Sequence, residues 1–152
     1  MNQIANILPV SNIVVDLDVS SKKRMFEQAG LLFENQLGIA RAVVFDALFD
    51  REKLGSTGLG QGIAIPHGRI KGLKTAAGAL FRLKTPVAFD APDDQPVGIL
   101  FILLVPQAAA EKHLQLLSEL AQMFSSKSFR EDVAAARDAA AIKEIIEKCP
   151  AN

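Results

Sequence analysis

Apolar residues along this chain recur first at strand spacing and then at helix spacing. Residues 13–17 are a short run rich in β-branched side chains, which predicts a strand. Ser20 and Ser21 then offer a helix N-cap, and Met25, Ala29, Leu32 and Phe33 repeat along one helical face. Gly38 suits the position just past a last helical turn, so a helix is expected over 22–37. A second helix is expected over 40–51, with Val43, Val44, Ala47 and Leu48 facing inward.

The pattern changes at 54–62, where Gly55, Gly58, Gly60 and Gly62 fall close together. They predict either a tight loop with positive φ angles or a loop whose N–H groups approach an anion closely. Glycines alone do not decide between these. A brief apolar segment, 63–65, stops at Pro66-His67-Gly68-Arg69. Two strands are expected over 77–83 and 98–105, joined as a hairpin through a turn at 90–96. The second is apolar without alternation, as befits a central strand covered on both faces. Pro106 ends it. Helices are expected over 111–125, 128–136 and 139–148, the first with Leu117, Leu120, Ala121 and Phe124 as its buried stripe. Strands interleaved with helices predict an α/β fold in layers with a mixed sheet.

Composition narrows the class. A length of 152 residues suits a single domain spanning 1–152, and 49% hydrophobic with 22% charged residues is a globular profile. Lys plus Arg and Asp plus Glu number 17 each, which gives no support for a nucleic-acid surface. The first residues lack the basic start and apolar stretch of a signal peptide. The longest strongly apolar run, 99–105, is far short of the ~20 residues a membrane span needs. The single cysteine, Cys149, has no partner for an internal disulfide and is assigned no role. A cytoplasmic protein is expected.

Several chemistries fail on order or spacing. A dinucleotide fingerprint or P-loop follows a strand and opens a helix, whereas these glycines follow a helix and lead into a strand. There is no H-E-x-x-H helix and no thiolate near the histidines, so no metal is expected; nor is any other cofactor. No G-x-S-x-G elbow supports a serine hydrolase, and Ser56 and Thr57 read as loop-shaping hydroxyls. The two histidines remain. His67 lies between a proline that fixes the chain before it and a glycine that leaves space after it, at a strand exit where α/β sites often lie. From the residues alone, a functional His67 and an ordinary loop histidine stay equally open. His113 falls in the first turn of the 111–125 helix, where the helix dipole disfavours an imidazolium. By itself it reads as packed over Leu117. Arg51 and Arg69 flank the segment, and a guanidinium fork matches phosphate oxygens. A plain ion pair with Glu52 or Asp50 competes with that reading and is favoured for Arg69.

A longer match changes the balance. Arg51-Glu52-x-Leu54-Gly55-Ser56-Thr57-Gly58-x-Gly60-x-Gly62-Ile63-Ala64-Ile65-Pro66-His67-Gly68 strongly resembles the active-site signature of the mannitol/fructose/nitrogen-type enzyme IIA of the phosphotransferase system. Thr85-Pro86-Val87-Ala88-Phe89-Asp90, Asp94-Gln95-Pro96-Val97, Leu103-Leu104-Val105-Pro106 and Glu111-Lys112-His113-Leu114 resemble it too. The resemblance implies an α/β sandwich, a mixed sheet with helices on both faces. It implies that His67 is phosphorylated, that His113 hydrogen-bonds the phosphoryl group and that Arg51 helps neutralise it. The blocks look more like the nitrogen-regulatory branch than the mannitol branch. The implied donor is an HPr-like phosphocarrier, fed from phosphoenolpyruvate by an enzyme I, and the implied outlets are regulatory target proteins. A sugar-specific enzyme IIA that passes the group to an enzyme IIB shares the same signature. A binding module without transfer, docking through Leu59, Ile65 and the first turn of the His113 helix, is a third reading. A weak homodimer also stays open.

Overall fold

The computed structural model describes residues 2–108 and 110–150. Its elements run α1 (Gln3–Asn6), a 3₁₀ turn (Val10–Asn12), β1 (Ile13–Leu17), α2 (Lys22–Leu37), α3 (Arg41–Glu52), β2 (Gly58–Gly60), β3 (Ile63–Ala64), β4 (His67–Ile70), β5 (Ala77–Val87), β6 (Val97–Pro106), α4 (Ala110–Ser125), α5 (Lys127–Ala135) and α6 (Ala139–Glu147). Six strands form one mixed sheet in the order β1-β5-β6-β3-β2, with β4 also paired to β6. β5 and β6 are the expected antiparallel hairpin, while β3 and β4 both run parallel to β6, one after the other along its edge.

The sheet is covered on both faces. Along β6, Leu100, Ile102 and Leu104 point to α2 and α3, where Met25, Phe26, Phe33, Val44 and Leu48 are fully buried. Phe101, Leu103 and Val105 point the other way, to Leu116, Leu120, Phe124, Val133, Ile142 and Ile146 of α4, α5 and α6. A strand packed on both sides has no polar face to alternate with, which is why β6 reads as one apolar run.

Local chemistry sets the boundaries. Ser21 Oγ accepts from Arg24 N at 3.1 Å and Gly38 closes α2 in the left-handed region (φ 71°), so that helix ends where expected. α3 has no side-chain cap of its own. Instead Glu34 accepts from the Arg41 backbone N–H at 2.9 Å, so the helix starts after Ala40. Val43 is 47% exposed and turns away from the core, contrary to the expected inward stripe; Val44 and Leu48 hold the contact with the sheet.

The structure departs from expectation elsewhere too. α1 was not expected; Asn2 Oδ1 caps it by accepting from Ala5 N at 2.7 Å. The glycine-rich stretch is part loop and part hairpin, since β2 and β3 turn through Gln61 and Gly62, both at positive φ. β5 runs on past Leu83 because its register with β6 shifts between Arg82 and Val87, which accommodates Pro86. The chain also resumes pairing directly after Pro66, so His67 opens a strand rather than standing at the exit of one.

Candidate functional site

His67 gets its position from β4. Pro66 interrupts the run from β3, and its carbonyl accepts from Leu103 N at 2.9 Å, so register with β6 is kept across the break. Side chains alternate along β4. Gly68 faces α3, and His67 faces the layer of α4, α5 and α6. The His67 ring folds back so that its Nδ1 lies 2.8 Å from the carbonyl oxygen of Ile65. Since a carbonyl only accepts, Nδ1 carries the proton and Nε2 keeps its lone pair.

His113, in the first turn of α4, meets His67 edge-on, with ring centroids 5.0 Å apart and planes at 78°. Both residues are buried, 7% and 8% exposed. His113 therefore packs on the other imidazole rather than standing alone over Leu117. Its Nδ1 is buried without a hydrogen-bond partner among the described residues. Burial pushes the pKa of His67 down, against the pull of the Ile65 carbonyl; Arg51 lowers it further and Glu52 opposes. His113 is pushed down to about 4, chiefly by burial, then by His67, Arg69 and Arg51. Both rings are thus neutral near pH 7.

The loop before the hairpin holds the cations. Arg51, in the last turn of α3, donates from Nη1 to the carbonyl of Gly55 at 2.9 Å. Glu52 turns inward, 9% exposed. Its Oε1 accepts from Thr57 Oγ1 at 2.7 Å, and its Oε2 accepts from Thr57 N and Lys22 Nζ, both at 3.0 Å. Ser56 Oγ donates to Phe89 O at 2.9 Å and accepts from Gly58 N at 3.0 Å, so both hydroxyls shape the loop as expected. The Asp93 carboxylate accepts from Gln61 N at 2.9 Å and ties the 90–96 turn to the hairpin tip.

The ion-pair reading of the arginines is not what the structure contains. Glu52 pairs with Lys22 and Asp50 with Lys53, and among the described residues neither Arg51 nor Arg69 makes an ion pair. Arg69 is exposed, two residues beyond His67 on the same face of β4, and acts on His113 more strongly than Arg51 does. The sequence alone favours a plain ion pair for Arg69; with β4 in place, period-two spacing puts it on the face of His67 instead. Glu52 was missed as well, though it stands inside the glycine-loop signature. Ile65, expected on a docking face, is 7% exposed and belongs to the core, whereas Leu59 is 40% exposed.

Two neutral imidazoles in contact, one with a free Nε2 lone pair, within the field of two guanidinium groups that make no ion pair among the described residues, form a site suited to receiving an anionic group. Among the described residues, no three His, Cys, Asp or Glu side chains converge to hold a metal ion, and no helix is long and apolar enough to cross a membrane.

The family model for the EIIA 2 component of the phosphoenolpyruvate-dependent sugar phosphotransferase system matches residues 6–149. The chain is 42% identical over 147 residues to the nitrogen regulatory protein of Pseudomonas aeruginosa, covering 96% of each. It is 40% identical over 151 residues to that of Klebsiella oxytoca, covering 99% of this chain and 93% of the other. It also superposes on the crystal structure of the nitrogen regulatory protein IIA-Ntr from Neisseria meningitidis with a TM-score of 0.90 at 55% identity, over 94% of this chain and 98% of that one.

Proposed function

The chain belongs to the EIIA 2 family of the phosphoenolpyruvate-dependent sugar phosphotransferase system, and from that premise we propose that it is a regulatory phosphocarrier charged on His67 Nε2. The donor is an HPr-like histidine phosphocarrier, itself supplied from phosphoenolpyruvate through an enzyme I. The outlets are target proteins that bind according to phosphorylation state. Relatives named as nitrogen regulatory proteins support the regulatory branch over sugar uptake.

One observation carries the chemistry: the 2.8 Å contact of His67 Nδ1 with the Ile65 carbonyl. It leaves Nε2 as the nucleophile. Nε2 attacks the phosphorus of the donor phosphohistidine in line. The new Nε2–P bond forms as the donor's N–P bond breaks, and the donor imidazole leaves with that electron pair. The proton stays on Nδ1, hydrogen-bonded to the Ile65 carbonyl, and that bond stabilises the charge that develops on the ring. His113, neutral and partner-free at Nδ1, is the donor to a phosphoryl oxygen. Arg51 and Arg69 supply positive potential. One neutral donor backed by two cations holds phosphate less tightly than a ring of cations in direct contact, which suits a group that must move on.

The test is intact-mass spectrometry and ³¹P NMR after incubation with phosphoenolpyruvate, an enzyme I and an HPr-type carrier. One acid-labile phosphoryl group on Nε2 of His67 is the expected result. Phosphate on Nδ1, or no modification from any carrier, would refute the reading.

A further inference from the structure

α4 carries a second polar feature besides His113. Gln3 of α1 and Leu114, Gln115, Ser118, Glu119 and Gln122 of α4 line a groove of 500 Å³. Glu119 is 5% exposed, yet its Oε1 has no donor, and it makes no ion pair among the described residues. Gln3 also lines the groove, and its Oε1 is likewise buried without a donor among the described residues. A buried carboxylate without a counter-charge is costly, and two orphaned acceptors call for a donor-rich, positively charged occupant.

The walls are fixed in advance. Asn2 Nδ2 donates to the carbonyls of Ile146 (2.8 Å) and Cys149 (3.1 Å), pinning the start of α1 to the end of α6. Lys143 Nζ holds the far end of α1 through the carbonyl of Leu8 at 2.6 Å. Gln3 is therefore held over α4 by bonds that do not involve the groove. We propose that this groove binds a small organic cation, an alkylammonium or guanidinium group, with Glu119 as its counter-charge and Gln3 as a second acceptor. The donor set decides the class. One carboxylate, an amide oxygen and the Ser118 hydroxyl match the three N–H donors of an ammonium, while a divalent metal draws on several carboxylates. Leu114, 68% exposed at the rim, offers an apolar wall for an aliphatic stem. Glu119 lies about 9 Å along α4 from His113, at ~1.5 Å per residue, so binding here does not depend on the role given to His67.

The probe is n-butylammonium chloride, titrated at constant ionic strength and pH 7 against ¹⁵N-labelled protein, with n-butanol as the uncharged control. Saturable amide shifts confined to Gln3 and residues 114–122 are expected with the amine and not with the alcohol. Glu119→Gln is expected to weaken binding at least tenfold. Gln3→Leu, whose helix keeps its Asn2 and Lys143 anchors, is expected to weaken it severalfold and stands in if Glu119→Gln does not fold. Equal responses to amine and alcohol, shifts that do not saturate, or wild-type affinity in the variants would each overturn the proposal.

Discussion

His67 and Gly68 are neighbours on β4 that face opposite layers of helices. On the α3 side, a Cβ on Gly68 would lie 3.0 Å from Ala47 Cβ and 3.1 Å from the Ala47 carbonyl carbon, so strand and helix are in backbone contact. On the α4 side, His67 meets a second imidazole that has, among the described residues, an unpartnered ring nitrogen and no carboxylate hydrogen-bonded to either ring. One face is packed to contact. The other keeps polar atoms without protein partners inside an otherwise apolar layer. The difference teaches that the nucleophile is aimed by packing on the face it does not use, because Gly68 locks β4 to α3 and alternation then sends His67 to α4.

The largest effect tests the chemical face. His67→Ala is expected to abolish phosphoryl acceptance in the mass assay while the far-ultraviolet circular dichroism stays that of the folded chain. Next is His113→Ala, expected to slow acceptance about 100-fold, the scale of losing one preorganised donor to a developing anion. Rapid-quench transfer from a charged carrier measures it. An unchanged rate would reduce His113 to a packing partner and make the two faces alike. The packed face is tested by Gly68→Ala, expected to destabilise by about 1–3 kcal/mol in urea unfolding, because the Ala47 backbone cannot yield without moving α3. Full stability in that variant would remove the argument that α3 aims His67.

Much of this contrast was legible in the sequence, because its main signals are local. The apolar run of β6 and the Ser21 and Gly38 caps of α2 each depend on near neighbours; of the expected α4 stripe, Leu120 and Phe124 are buried, whereas Leu117 and Ala121 are half-buried and Leu116 is the residue fully in the core. What stayed hidden depends on partners distant in the chain. β4 is too short to announce itself and exists because β6 offers it an edge. Glu52 looks like a surface acid until Lys22, thirty residues away, closes on it. Val43 sits at a helical spacing that would suit burial, and only the packing of Val44 and Leu48 on the sheet shows it facing out. His113 could be placed in a first turn, but nothing within α4 shows that its ring meets His67.

The smallest expected effect is on pH dependence, and it separates the faces without touching transfer. The chain's only two histidines both lie on the α4 side, and burial is the main reason both are held below the ordinary 6.5, His113 at about 4. A histidine whose folded pKa lies below its unfolded value binds more protons in the unfolded chain. Its contribution to stability is complete above about 6.5 and falls as the pH drops towards the folded value. Urea unfolding between pH 6.5 and 5 is therefore expected to reveal a loss of stability as the pH is lowered, in a window above the range where ordinary carboxylates titrate. His113→Asn removes the more depressed ring and is expected to flatten that slope, leaving the smaller share of His67. Gly68→Ala, on the other face, is expected to lower stability by the same amount at every pH. If His113→Asn keeps the wild-type slope, the imidazole pair is not the buried neutral unit described for the α4 side. If Gly68→Ala steepens it, the packing of α3 reaches through the strand and the two faces are coupled rather than distinct.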